Sequence, residues 1–136
     1  MQLEKRKMIA AEPENSSGQG NSAIVPAEIL GWNWGASLLG WLWAIGNNRL
    51  DMAAYGLAAY TCSVLLGPVG WLAQLIVSII LGVKGNEWAW QGKKWHSVGR
   101  FKNNQKKWRK WGIAASILNV ILMLWVGIAG FGIWRI

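Results

Sequence analysis

The chain has 136 residues, 53% of them hydrophobic, with 12 Trp, one Cys and a formal net charge of +8. So apolar a chain of single-domain size leaves too little polar surface for a water-soluble globule, and indole rings favour the headgroup region of a membrane, where the N–H stays wet. The charge excess attracts anionic lipid or nucleic acid, and Cys62, being alone, excludes an intrachain disulfide.

Residues 1–26 begin with Glu4, Lys5, Arg6 and Lys7 and continue through Pro13, Ser16, Ser17, Gly18 and Gly20. So few apolar groups do not offset the entropy of ordering, and a disordered cytoplasmic tail is expected. It has no apolar h-region, so no secretory signal peptide is expected either. The helical membrane domain is expected over 27–136, opening just after Pro26. The uncharged run 30–46 is about 17 residues, the lower limit for a spanning helix. It is expected to span, with a re-entrant or interfacial helix as the alternative. Asn47-Asn48-Arg49-Leu50-Asp51 reads as a polar turn. The next uncharged run, 52–83, is about 32 residues, or about 48 Å as one helix, too long for a hydrocarbon core of ~30 Å. A break at Gly67-Pro68 is expected, giving either a hairpin or a kinked span.

Segment 84–110 holds nine of the 14 Lys and Arg residues. Trp95, Val98, Phe101, Trp108 and Gly112 recur close to the helical period, with Lys and Arg filling most of the other face, which predicts a basic amphipathic helix at the membrane surface. Lys93, Lys94, Trp95, Arg100, Phe101, Lys102, Lys106, Lys107, Trp108, Arg109 and Lys110 are the residues expected to meet anionic lipid or a protein partner. Asn86 is expected to cap the helix start, with Glu87 opposite the helix dipole and Trp88 and Trp90 as interface anchors. Segment 111–134, about 24 uncharged residues with Trp at both ends, is the clearest transmembrane helix. Within it Asn119 is expected to seek an interhelical partner, with Gln74 and Ser78 as candidates.

Gly31-Trp-Asn-Trp-Gly-Ala, an apolar stretch broken by Gly-Pro-Val-Gly, and Gly82-Val-Lys-Gly-Asn-Glu-Trp-Ala-Trp90 followed by Lys-Lys-Trp together resemble an uncharacterised group of small bacterial integral membrane proteins. The similarity covers roughly residues 25–112. It implies a helical, membrane-embedded fold and brings no established activity with it.

The fold class expected is all-α, a multi-helix integral membrane protein. Lys- and Arg-rich loops stay inside, so 84–110 and the N-terminal tail are expected on the cytoplasmic face of a bacterial inner membrane, with the C-terminus outside. No cofactor, metal site or catalytic group is expected: His96 sits among lysines with no acid to orient it, and no cluster of ligands has useful spacing. The function expected is that of a non-enzymatic anchor, scaffold or accessory subunit that uses the basic and aromatic helix, with a protein partner or a homo-oligomer as company. The alternatives are recruitment of nucleic acid, with Trp95, Phe101 or Trp108 stacking on bases, and an oligomeric channel or transporter.

Overall fold

The computed structural model describes Met1, Leu3 and residues 14–133. Every regular element within 14–133 is helical: α1 (Trp34–Leu39), α2 (Trp41–Gly46), α3 (Leu50–Leu65), α4 (Pro68–Gly92) and α5 (Val98–Ile133), preceded by short 3₁₀ turns at Gly20–Ser22 and Ala27–Ile29.

The run 30–46 does not cross as one helix. Asn33 opens α1, its side-chain oxygen accepting from the Ala36 N–H at 2.8 Å, and the chain turns at Gly40 with φ +52° and ψ −115°, a backbone that a Cβ disfavours. Two helices of six residues result, each only about 9 Å long. α1 runs antiparallel to α4, with the Asn33 N–H donating to the Gly82 carbonyl at 2.8 Å and Ser37 Oγ 3.3 Å from Ser78 Oγ. α2 then returns: Asn48 Nδ2 donates to the Gly92 carbonyl at 2.9 Å. The segment therefore enters and leaves at the same end of the molecule, the re-entrant alternative rather than the expected span.

The run 52–83 is a hairpin. α3 stops at Leu66, Gly67 adopts φ +57°, and Pro68 starts α4, where its missing N–H is no loss. The two helices lie against each other, Gly56 of α3 makes room for the Trp41 backbone of α2, and at the tip the Gly70 backbone sits on the Cys62 carbonyl, where no Cβ fits. α4 then continues past the expected boundary at 83, so residues 84–92 are its last turns and the basic segment 84–110 is not one helix. The chain breaks over 93–97, and α5 runs unbroken for 36 residues, about 54 Å.

α5 packs chiefly on α1 and parallel to it, with Trp108 against Gly35 and Gly112 against Leu38. The hairpin tip and the free end of α5 consequently point the same way. Pro68–Gly92 and Val98–Gly130 are long and apolar enough to cross a membrane. Past Gly112 the side chains of α5 are almost all exposed.

Part of the expected tail is ordered. Residues 14–26 form a strap over the α4–α5 connection, with the Gly18 N–H on the Trp90 carbonyl at 2.9 Å, the Trp95 N–H on Ser17 Oγ at 2.8 Å and Trp90 Nε1 on the Ile24 carbonyl at 3.1 Å. Polar and backbone hydrogen bonds, rather than apolar burial, hold it down, which is why composition argues for disorder. Residues 4–13 of the tail lie outside the described residues.

The helices approach through glycine, and this predicts an asymmetry. A Cβ on Gly85 would lie 2.7 Å from Ala36 Cβ, whereas one on Gly127 meets nothing within 4 Å. Gly85→Val is expected to cost about 1–3 kcal/mol through overpacking, read as a lower thermal midpoint in detergent, while Gly127→Val leaves the midpoint in place.

Candidate functional site

The polar end of the molecule is organised by amides. Gln105 Oε1 accepts from Asn33 Nδ2 at 2.9 Å and from Trp43 Nε1 at 3.0 Å, and its Nε2 donates to Asn47 Oδ1 at 2.9 Å. Asn33 Nδ2 also donates to Asn86 Oδ1 at 2.7 Å, and Asn47 Nδ2 closes on the Trp43 carbonyl at 2.9 Å. The network links α1, α2, α4 and α5, and each oxygen finds a donor, as burial demands. It fixes the rotation of α5: Phe101, Gln105, Trp108 and Gly112 face inward, so Arg100, Asn103, Asn104, Lys107 and Lys110 face outward.

The inward aromatics are core, not surface. Trp95 and Phe101 are 6% and 1% exposed, and both Trp95 and Trp90 meet the Phe101 ring edge-on, with centroids 5.1 and 5.6 Å apart. Trp108 fills the space left by Gly35 and Gly46. The expected single amphipathic helix over 84–110 is therefore replaced by α5 from Val98, with Trp95 in the connection before it, and the apolar face of its first turns is covered by α1 and the strap instead of by lipid or a partner. Trp90, expected at a membrane surface, is 2% exposed; Trp88 lies under the Arg49 guanidinium, 5.5 Å from the ring centre.

Asn86 and Glu87 do not cap a helix, because both sit inside α4. Asn86 belongs to the amide network, and Glu87 pairs with Lys84 at 2.8 Å, one turn away. Gln74 and Asn119 line one cleft of about 510 Å³ beneath the hairpin, together with Tyr60 and Ser116. They make no hydrogen bond with each other: Gln74 Oε1 is buried without a partner, Asn119 is exposed, and Ser78 is taken by Ser37. The cause is the missing contact between α5 and the hairpin above Gly112.

The cations divide into two sets. Lys102 pairs with Glu28 at 2.8 Å, and Arg49 grips Asp51 through two bonds of 2.9 and 2.6 Å. Lys93, Lys94, Arg100, Lys106, Lys107, Arg109 and Lys110 form no ion pair with a described acid. Lys93 lies 5.2 Å over the Trp95 ring, and Lys94 Nζ donates to the Asn15 carbonyl. Between the 93–97 connection and the outer face of α5 all of these except Arg109 border an open cleft of about 700 Å³, which also takes in His96, Asn103 and Asn104. Such an arrangement attracts and hydrogen-bonds oxyanions. Among the described residues no three His, Cys, Asp or Glu side chains converge as a metal site would need.

Comparison with family models, with curated proteins and with solved structures gave no match.

Asn33, Asn47 and Gln105 were not singled out by the sequence reading. Their signal was present: amides inside an uncharged or apolar-facing pattern need partners in a low-dielectric interior. Gln105→Leu removes the acceptor of Asn33 and Trp43 and the donor to Asn47, and it is expected to cost about 1–3 kcal/mol, seen in the thermal midpoint of Trp fluorescence. Gln105→Glu is expected to recover as pH falls. An ionised carboxyl sets a second acceptor against Asn47 Oδ1, whereas the neutral acid restores the donor to it, so the variant regains the bond on the acid side. The measurement is the variant's midpoint relative to the wild-type chain between roughly pH 8 and roughly pH 5.

Proposed function

We propose that this chain is a non-enzymatic integral membrane protein that presents a cationic platform at one membrane face, acting as an anchor, scaffold or accessory subunit. The observation that carries the reading is the segregation of charge. Segments 52–83 and 111–134 contain no charged residue, whereas the described charges all lie at the end where the amide network and the α4–α5 connection sit. The apolar end is exposed in a manner only a hydrocarbon solvent tolerates, with Val69, Trp71, Leu118, Met123 and Trp125 each more than half exposed.

Local hydrogen bonding supports the same solvent. Thr61 Oγ1 donates to the Leu57 carbonyl at 2.9 Å and Ser63 Oγ to the Tyr60 carbonyl at 2.6 Å, so hydroxyls on the apolar part of α3 are satisfied within their own helix. Trp71 and Trp88 lie 17 residues apart on α4, about 26 Å, near the thickness of a hydrocarbon core. The excess of Lys and Arg supports a cytoplasmic platform, with α3 leading out, α4 back and α5 out again. A bacterial inner membrane is the setting implied by the resemblance to small bacterial membrane proteins.

Burial of Trp95 and Phe101 favours lipid or acidic protein over nucleic acid as the partner, because rings held in the core do not stack on unpaired bases. Phosphate contacts alone remain for a nucleic acid.

The re-entrant α1–α2 pair gives the topology a sharp test. Single cysteines at Asn48, Val69 and Ser97, in a Cys62→Ser background, are labelled in intact cells and in inverted vesicles. Asn48 and Ser97 are expected to react together from the cytoplasmic side, and Val69 is not. Labelling of Asn48 from outside would restore a spanning 30–46 segment, and labelling of Ser97 from outside would overturn the orientation.

A further inference from the structure

A cationic basin and an apolar groove meet on the outer face of α5. The basin is the cleft of about 700 Å³ already described; Lys93, Lys94, Arg100, Lys106, Lys107 and Lys110 line it, with no carboxylate in its walls. Next to it lies a groove of about 510 Å³ walled by Leu39, Leu42, Trp108, Trp111 and Ala115. The two share Asn104 and Lys107. Their residues follow one another up a single helix, from Arg100 through Lys107 to Ala115, about 22 Å of rise.

We propose that this composite surface binds one phospholipid whose headgroup carries two phosphates, with the headgroup in the basin and an acyl chain along the groove. The proposal deepens the membrane reading above and rests on it, since the groove meets lipid only if α5 crosses a bilayer. The apolar wall selects an amphiphile over a soluble polyanion: Trp111 is 70% exposed beside the groove, and an acyl chain would cover it. Charge selects the headgroup. A single phosphodiester would leave most of the six cations facing one another, whereas two phosphates neutralise more of that repulsion. Lys107 stands at the seam, where the phosphate joins the glycerol. Asn103 and Asn104 supply neutral donors for the remaining oxygens.

The full chain is reconstituted in phosphatidylcholine nanodiscs doped with cardiolipin, a two-phosphate lipid, or with phosphatidylglycerol, a one-phosphate lipid, at equal headgroup charge. Lipid retained after transfer to detergent is counted by native mass spectrometry. Cardiolipin is expected to be retained over phosphatidylglycerol by roughly tenfold or more. The double variant Arg100→Gln/Lys107→Gln should erase that preference, and Lys102→Gln, paired with Glu28 on another flank, should keep it. Leu42→Trp, which fills the groove and leaves the charge unchanged, should lower retention as well.

Equal retention of the two lipids, or an unaltered preference in the double variant, overturns the proposal. Displacement of the lipid by inorganic pyrophosphate or by a single-stranded oligonucleotide at matched phosphate overturns it too, and would reassign the basin to a soluble anion. Alkaline carbonate extraction of native membranes separates the two levels. Release of the protein defeats the membrane reading itself, whereas an embedded protein without lipid preference defeats only the lipid site.

Discussion

Gln105 ties the helices together, with its oxygen shared by Asn33 and Trp43 and its nitrogen given to Asn47. Each of these hydrogen bonds contributes only about 1 kcal/mol net, but an amide left without its partner in the interior costs more than that. The network is therefore held less by the strength of its bonds than by the penalty on every arrangement that breaks one. Neutral amides suit this depth better than charges, whose desolvation outweighs much of their mutual attraction. Because Asn33 also caps α1 and reaches Asn86 on α4, one set of side chains sets the start of α1, the end of α2, the rotation of α5 and the height of α4.

That fixed rotation decides what the surface is made of. Once Phe101, Gln105 and Trp108 face inward, the remaining positions of the first three turns of α5 face out, and most carry Lys, Arg or Asn. The strap closes the same end from the other side. Its bonds to the Trp90 and Trp95 backbone seal the edge-on aromatic cluster around Phe101 and leave the lysines of the connection outside. Above Gly112 the logic reverses. α5 has no helix beside it there, so its apolar side chains need a surrounding that is itself apolar.

The two long features of the fold were legible in the sequence, and the short ones were not. Gly67-Pro68 marks the break because proline disrupts a helix, though the sequence left hairpin and kinked span open, and the final apolar run has no competing break. The turn at Gly40 was hidden because Gly31, Gly35, Gly40 and Gly46 look alike in sequence, while Gly40 turns the chain between two helices and Gly35 and Gly46 make room for Trp108. In the same way Asn86 suggested a helix start, but it is a mid-helix position, and the nearby Gly82 and Gly85 are where Trp32 and Ala36 approach the same helix. The period of Phe101, Trp108 and Gly112 gave the correct face of α5 and not its partner, since a hydrophobic period is identical whether protein or lipid covers it, while Trp95 falls in the connection before that helix. The cationic positions of the candidate site needed no structure to find. Their grouping around one cleft did, because it depends on the break at 93–97.

Electrostatics gives the platform a cost as well as a use. Lys93, Lys94, Arg100, Lys106, Lys107 and Lys110 border one cleft without an acid in its walls, so they repel one another across it. Water and salt soften that repulsion, and the exposed position of most of these side chains keeps it modest. The repulsion nevertheless acts between two pieces joined only through the connection: the lysines of 93–94 and the outer face of α5. An anion seated between them, as proposed, would lessen the repulsion across the break and so favour the folded arrangement over the unfolded chain. By linkage, binding and stability then rise together. On the proposed reading, the surface that would take the anion is the same surface whose neutralisation would firm the base of α5.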